Sequence, residues 1–314
     1  MKPAPLHEDV AGAPPGGEAW WLPTADGAEV RVGVWPAASG TPARGTVLIF
    51  PGRTEYIEKY GPAAGVYTAQ GYAVLTLDWR GQGLTERAFP DRRLGHVLSF
   101  AEYQRDLTAA LNLASWLDLP GPMFLVAHSM GGCIGLRALH EGLDVRAVAF
   151  SAPMWGVQME WWEPPLAWMS AIAAPLPGLG GKLTPRTTLD HALYVDAFEG
   201  NTLTTDREMW DFMRRQLDTH PDLTLGGPTL RWLRAALFET RALGRLAPPD
   251  ISAITFLGTS ERIVEPGPIR RLMREWPGGR LELAENAEHE ILMERPEIRD
   301  RFFTESLALF AQQA

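Results

Sequence analysis

Residues 123–139 read MFLVAHSMGGCIGLRAL, and the order of residue types in this stretch decides the fold. An apolar run ending at Ala127 suits a strand buried on both faces. From Gly131 onward the pattern turns helical, so Ser129 occupies a sharp strand-to-helix turn. Around it the chain reads Ala127-His128-Ser129-Met130-Gly131, a G-x-S-x-G pattern with alanine in place of the first glycine. Small residues two before and two after the serine let strand and helix approach closely. The strained turn then presents the hydroxyl at the C-terminal edge of the sheet. A helix N-terminus beside it favours developing negative charge. The pattern alone is common by chance; between a strand and a helix it points to a nucleophile.

Outward from this turn, short apolar runs alternate with helical stretches. Strands are expected at 46–50, 73–77, 123–127, 145–150, 254–257 and 281–283. A hairpin over 19–22 and 29–34 precedes them, turning at Asp26-Gly27. Ser99 with Glu102 three residues on reads as a capping box opening a helix to about Leu117. An antiparallel start followed by β-α alternation predicts an α/β fold, a mostly parallel central sheet flanked by helices. Residues 1–17, rich in Pro, Gly and Ala, read as a flexible N-terminal tail. The core is expected over 18–153 and 241–314, with a helical cap, 154–240, inserted in it. There the alternation stops, and Met209, Met213 and Leu217 fall on one helix face. The insertion holds six of the twelve Trp and five of the ten Met. Singly these are packing residues; together they suggest an apolar, adaptable underside fit for a lipid chain.

The chain has 314 residues, 29 Lys+Arg against 38 Asp+Glu, and a net charge of −9. That balance gives no pull towards phosphate backbones, so nucleic acid is not an expected partner. The lone Cys133 excludes an intrachain disulfide and a Cys-cluster metal site, and reads as a small buried hydrophobe. The N-terminus carries no apolar signal-peptide core, and 166–179 is too short and Pro-rich to span a bilayer. A cytoplasmic protein is expected, with peripheral contact at the inner membrane face left open, as is oligomeric state. No H-E-x-x-H, phosphate loop or dinucleotide fingerprint occurs, so no cofactor or metal is expected. A serine nucleophile argues against epoxide hydrolase or dehalogenase chemistry.

The sequence resembles the serine α/β-hydrolases, within them the monoacylglycerol lipase and bacterial lysophospholipase branch. The resemblance runs from about Thr46 to the C-terminus. It is carried by PGRTEYIEKY, LDWRGQG, GHVLSFAEYQRDL, AHSMGG, FLGTSERIVEP and AENAEHEILME, with NTLTTD and LGGPTLRW in the cap. It implies Ser129 as nucleophile and His289, in the loop before the last helix, as its base. Of the other histidines, His128 points elsewhere into packing, His96 reads as structural, and His140, His191 and His220 have no supporting context. The acid belongs in the loop after 254–257, where the matching position holds Glu261 instead of the usual aspartate. Glu265, then Asp250, are its alternatives.

The resemblance also assigns the oxyanion hole to the backbone N–H groups of Met130 and Arg53. Many relatives have His-Gly where this chain has Pro51-Gly52, so that loop must be supported differently. Glu55 is expected to brace it, through backbone N–H groups or Arg80. The implied activity is a cofactor-independent hydrolase of monoacylglycerols or lysophospholipids, its substrate-binding residues unknown. Arg186, Arg214 or Arg215 could supply a local site for a phosphate. A small-ester hydrolase, or an aminopeptidase using Glu160 or Glu163 to bind a free amine, stays as an alternative. So do acyl transfer by the same residues and a non-hydrolysing binding module on the same fold.

Overall fold

The computed structural model describes residues 1–160 and 162–314; Trp161, one of the cap tryptophans counted above, lies outside them. Its strands are β1 (Lys2–Ala4), β2 (Glu18–Pro23), β3 (Glu29–Trp35), β4 (Gly45–Phe50), β5 (Tyr72–Asp78), β6 (Met123–His128), β7 (Ala147–Ser151), β8 (Ser252–Gly258) and β9 (Gly279–Ala284). The helices are α1 (Glu8–Ala11), α2 (Gly61–Ala69), α3 (Ala101–Trp116), α4 (Met130–His140), α5 (Glu163–Ala173), α6 (Ala192–Val195), α7 (Arg207–Thr219), α8 (Leu230–Leu243), α9 (Pro266–Glu275) and α10 (Pro296–Gln312).

The strands form one sheet in the order β1-β2-β3-β5-β4-β6-β7-β8-β9. It is antiparallel from β1 to β5 and parallel from β5 to β9. Period-two alternation divides the strand residues between two cores. In β4, Leu48 and Phe50 face the core shared with α3, α4, α8 and α9, while Val47 and Ile49 face the one shared with α2 and α10. Continuous apolar runs are therefore what both faces of a parallel strand require. The expected α/β fold is the observed one.

Two local expectations are corrected. Residues 1–17 are not a free tail: β1 pairs with β2, with Lys2 opposite Trp21, and α1 buries Val10 and Ala11. The cause is Arg31, whose fully buried guanidinium satisfies itself on Asp78 (2.8 Å), Glu58 (2.7 Å) and the Pro5 carbonyl (3.0 Å). The capping box at Ser99 is also incomplete. Ser99 Oγ accepts the Ala101 N–H (3.2 Å), but the Glu102 carboxylate turns to Arg80 (3.4 Å).

Between β7 and β8 the chain forms α5 to α8 and, among the described residues, no strand. Trp210, Met213 and Leu217 of α7 pack with Tyr56 and Met293 in a core of their own. Helix α8 continues past Thr240, and its Ala236 and Leu243 join the sheet-side core, so the expected boundary at 240 falls inside a helix. Among the described residues no helix is long and apolar enough to cross a membrane.

Candidate active site

Ser129 joins β6 to α4 with φ 51° and ψ −119°. Positive φ in a residue with a side chain costs on the order of 1–3 kcal/mol and persists only where the surroundings over-determine it. Here the Ser129 N–H donates to the Ser151 carbonyl (3.0 Å), and its own carbonyl accepts from Met154 (2.8 Å) and Gly132 (2.9 Å). A Cβ at Gly131 would collide with the carbonyl oxygens of Phe50 and Pro51, so α4 can press this closely on the end of β4 only with glycine there.

The turn aims Ser129 Oγ at His289 Nε2, 2.8 Å away. His289 Nδ1 lies 2.7 Å from Glu261 Oε2, and Glu261 Oε1 accepts the N–H groups of Ile263 (2.6 Å) and Val264 (3.0 Å). These contacts assign the proton to Nδ1, leaving Nε2 free to accept from the hydroxyl. Burial opposes the charged form of Glu261, but His289 and the two backbone donors outweigh it and hold the carboxyl below its ordinary value. The His289 loop is tied to the cap, with His289 N–H donating to Thr202 O (3.3 Å) and Glu290 N–H to Leu203 O (2.8 Å).

The other positions named from sequence fall away from this chain of contacts. Glu265 stands before the first residue of α9, and Asp250 lines a separate cavity with Arg146 and Gly278. His96 bonds Thr229 (2.9 Å), His191 caps α6 through Leu193 N–H (3.1 Å), and His220 pairs with Asp9 (3.0 Å). Cys133 is buried, and burial pushes its thiol pKa well up.

Among the described residues the amides of Met130 and Arg53 donate to no protein acceptor. The loop carrying Arg53 is held from behind: Pro51 O accepts from Trp79 Nε1 (2.9 Å), and Gly52 O from Gln82 Nε2 (2.8 Å). The Gly52 N–H donates to Glu55, which also accepts from Lys59 Nζ and Tyr60 OH. Glu55 thus braces the loop through a backbone N–H and not through Arg80, which pairs with Asp26 and Asp106 (2.7 Å each).

Sequence reading missed the company Glu55 keeps. Lys59 also pairs with Glu290 (2.7 Å), and His128 Nε2 faces Glu290 (3.3 Å) and Glu55 (3.6 Å). His128 therefore sits in a buried ion cluster behind the serine, not in apolar packing. Burial opposes its protonation, but the two carboxylates prevail and raise its pKa. The only sequence signals were the four-residue spacing of Glu55 and Lys59 and the adjacency of Glu290 to His289. A metal could in principle use Glu55, His128 and Glu290, but Lys59 already lies against both carboxylates. His7, Asp9 and His220 also converge, yet the two imidazoles stack 3.6 Å apart at 11°, so their in-plane lone pairs do not meet at one point.

A cavity of about 430 Å³ opens over Ser129, with Arg53, Met154, Val264 and His289 in its wall. A second, of about 490 Å³, lies under α5 with Met159, Trp162, Leu166 and Ala167. The two share Val157, Arg186, Thr187, Pro228 and Trp232 as lining residues, so they adjoin, and the one under α5 is mostly apolar. Such a triad beside two free amides can perform acyl transfer.

A family model described as "Serine aminopeptidase, S33" matches residues 41–296. The chain is 30% identical to lysophospholipase L2 of Escherichia coli, over 81% of this chain and 76% of that one. It is 28% identical to a probable lysophospholipase L2 of Haemophilus influenzae, over 82% and 80%. Among solved structures, a soluble variant of Saccharomyces cerevisiae monoglyceride lipase superposes with a TM-score of 0.75 at 21% identity, covering 99% of this chain and 100% of that one.

Proposed function

The chain belongs to the serine aminopeptidase S33 family of α/β-hydrolases, in its lysophospholipase and monoglyceride lipase branch, and from that premise we propose that it is a carboxylic ester hydrolase of single-acyl-chain lipids. In this reading Ser129 is the nucleophile, His289 the general base and acid, and Glu261 the group that orients His289. The observation that carries it is the unbroken path from Ser129 Oγ to His289 (2.8 Å) to Glu261 (2.7 Å).

Ser129 Oγ attacks the ester carbonyl while its proton passes to His289 Nε2. The imidazolium so formed is stabilised by Glu261. The oxyanion takes the N–H groups of Arg53 and Met130, each worth roughly 2.7–4 kcal/mol of barrier. Collapse transfers the proton from His289 to the leaving alcohol and leaves an acyl-Ser129. Water then enters, gives a proton to His289 and releases the fatty acid by the same steps in reverse order. The acyl chain would lie in the space under α5; about 490 Å³ is within the roughly 300–1,000 Å³ of small-molecule pockets.

The peptidase alternative needs a free carboxylate for the substrate amine. Of the two acids offered for that role, Glu163 is paired with Arg186 at 2.6 Å, which leaves Glu160 in the cavity wall as the one to test. Our reading has the protein act in the cytoplasm, meeting its substrate by peripheral contact with the inner membrane face. Fatty-acid release from monoacylglycerol and lysophosphatidylcholine tests it, with Ser129→Ala as control. Release lost in the variant supports the reading. Cleavage of short esters alone would remove the lipid assignment, and no cleavage at all would favour a binding module.

A further inference from the structure

Among the described residues the Arg53 side chain is a cation without an anion. Its Nη2 donates to the Gly226 carbonyl (2.7 Å), its Nε is buried without a partner among these residues, and its charge is opposed by burial with no carboxylate of theirs near enough to restore it. Desolvation pushes its pKa down to about 10, so it still carries its charge at neutral pH. Holding a guanidinium out of water with no counter-charge is costly and is seldom retained for stability.

The position is built. The guanidinium lies over the Trp232 ring, 5.1 Å from its centroid, and the indole is fixed by its Nε1–H bond to Tyr103 OH (3.2 Å). It passes over Gly95, where a Cβ would collide with Nη2. Its accessible part lines the Ser129 cavity. Of the arginines named from sequence, Arg186 is paired with Glu163 (2.6 Å), Arg214 is bonded to Leu193 O (2.7 Å), and Arg215 is exposed and does not line the Ser129 cavity.

We propose that the Arg53 side chain is the anion subsite for the substrate's headgroup, so that the enzyme selects phosphodiester-bearing monoacyl esters (lysophospholipids) over neutral monoacylglycerols. The inference rests on the ester-hydrolase reading. The Arg53 amide would bind the carbonyl oxygen while its side chain leads away towards the cap. As many bonds separate that amide nitrogen from Cζ as separate the carbonyl carbon of a 1-acyl glycerophosphoester from its phosphorus. One residue can therefore span from oxyanion to phosphate, and a guanidinium fork suits phosphate oxygens.

The test is the ratio of kcat/KM for 1-dodecanoyl lysophosphatidylcholine to that for 1-dodecanoylglycerol in the same mixed micelles. A ratio is insensitive to any general loosening of the oxyanion loop, which lowers both rates. Arg53→Gln should lower it about 10- to 100-fold, the range expected for losing a charge-assisted hydrogen bond. Arg53→Lys should recover part of it, and Gly95→Ala, which displaces the guanidinium without removing it, should lower it too. An unchanged ratio in Arg53→Gln overturns the proposal. So does a selective loss of inhibition by laurate, which would assign the guanidinium to the fatty-acid carboxylate. A wild-type chain that cleaves only the monoacylglycerol overturns the subsite alone; one that cleaves neither lipid overturns the ester-hydrolase reading and this inference with it.

Discussion

Glu261 holds His289 from one carboxylate oxygen at 2.7 Å while its other oxygen is pinned by the backbone N–H groups of Ile263 and Val264. A side chain fixed at both oxygens orients the imidazole without freedom to drift. Glu261→Gln should lower kcat by about 10²- to 10⁴-fold, because an amide can present a donor to Nδ1 and reverse the tautomer. Glu261→Asp, one methylene short of spanning both contacts, should fall between that and wild type. Glu265→Gln should stay close to wild type; steady-state kinetics on a soluble ester decides among them.

The ion cluster behind the serine couples stability to the oxyanion loop. Lys59→Met leaves Glu55 and Glu290 facing each other without their shared ammonium, and should cost about 3–5 kcal/mol in denaturant unfolding. Glu55→Gln weakens the hold on the Gly52 N–H. It should lower kcat by about 10- to 100-fold with a smaller effect on KM, since the loosened donor matters most to the developing oxyanion.

Acid should loosen the cap through His191. Burial, with Lys59 adding to it, pushes its pKa down to about 4 from an ordinary 6.5. The unfolded chain therefore binds the proton first. The stability contributed is complete above pH 6.5, and about 3 kcal/mol is lost as pH falls from 6.5 through 4. His191→Asn keeps a side-chain acceptor at the start of α6 but cannot titrate there. Unfolding free energies measured across that window should show a shallower decline in the variant, and parallel curves would remove His191 as the cause.

The space under α5 should set acyl length. Ser170 lines it beside Leu166 and Ala167, and Ser170→Trp would fill part of its roughly 490 Å³. The rate ratio of hexadecanoyl to octanoyl glycerol should fall about tenfold or more. Each methylene kept from burial forfeits about 0.8 kcal/mol.

Much of this was legible beforehand because the signals were local. Strands β4 to β8 announce themselves as Val, Leu, Ile and Phe runs, and Ser129 by the small residues around it. Glu261 and His289 were found through family resemblance, not spacing. What stayed hidden depends on distant partners. Lys2–Ala4 has no strand signature of its own and is ordered by β2 and by the Pro5 carbonyl that Arg31 needs. Glu55, Lys59, His128 and Glu290 come from three separate segments, and only folding makes one cluster of them. Arg53 was noticed for its backbone N–H; that its side chain has no counter-charge is a property of the packed cavity.

The central claim is that Ser129 is the acylated nucleophile. It is tested most directly by treating the folded chain with a fluorophosphonate and locating the adduct by peptide mass spectrometry. One phosphonyl group on Ser129 is expected, absent from Ser129→Ala and formed at least about 100-fold more slowly in His289→Ala. Label on any other residue, or a folded chain that takes none, would contradict it.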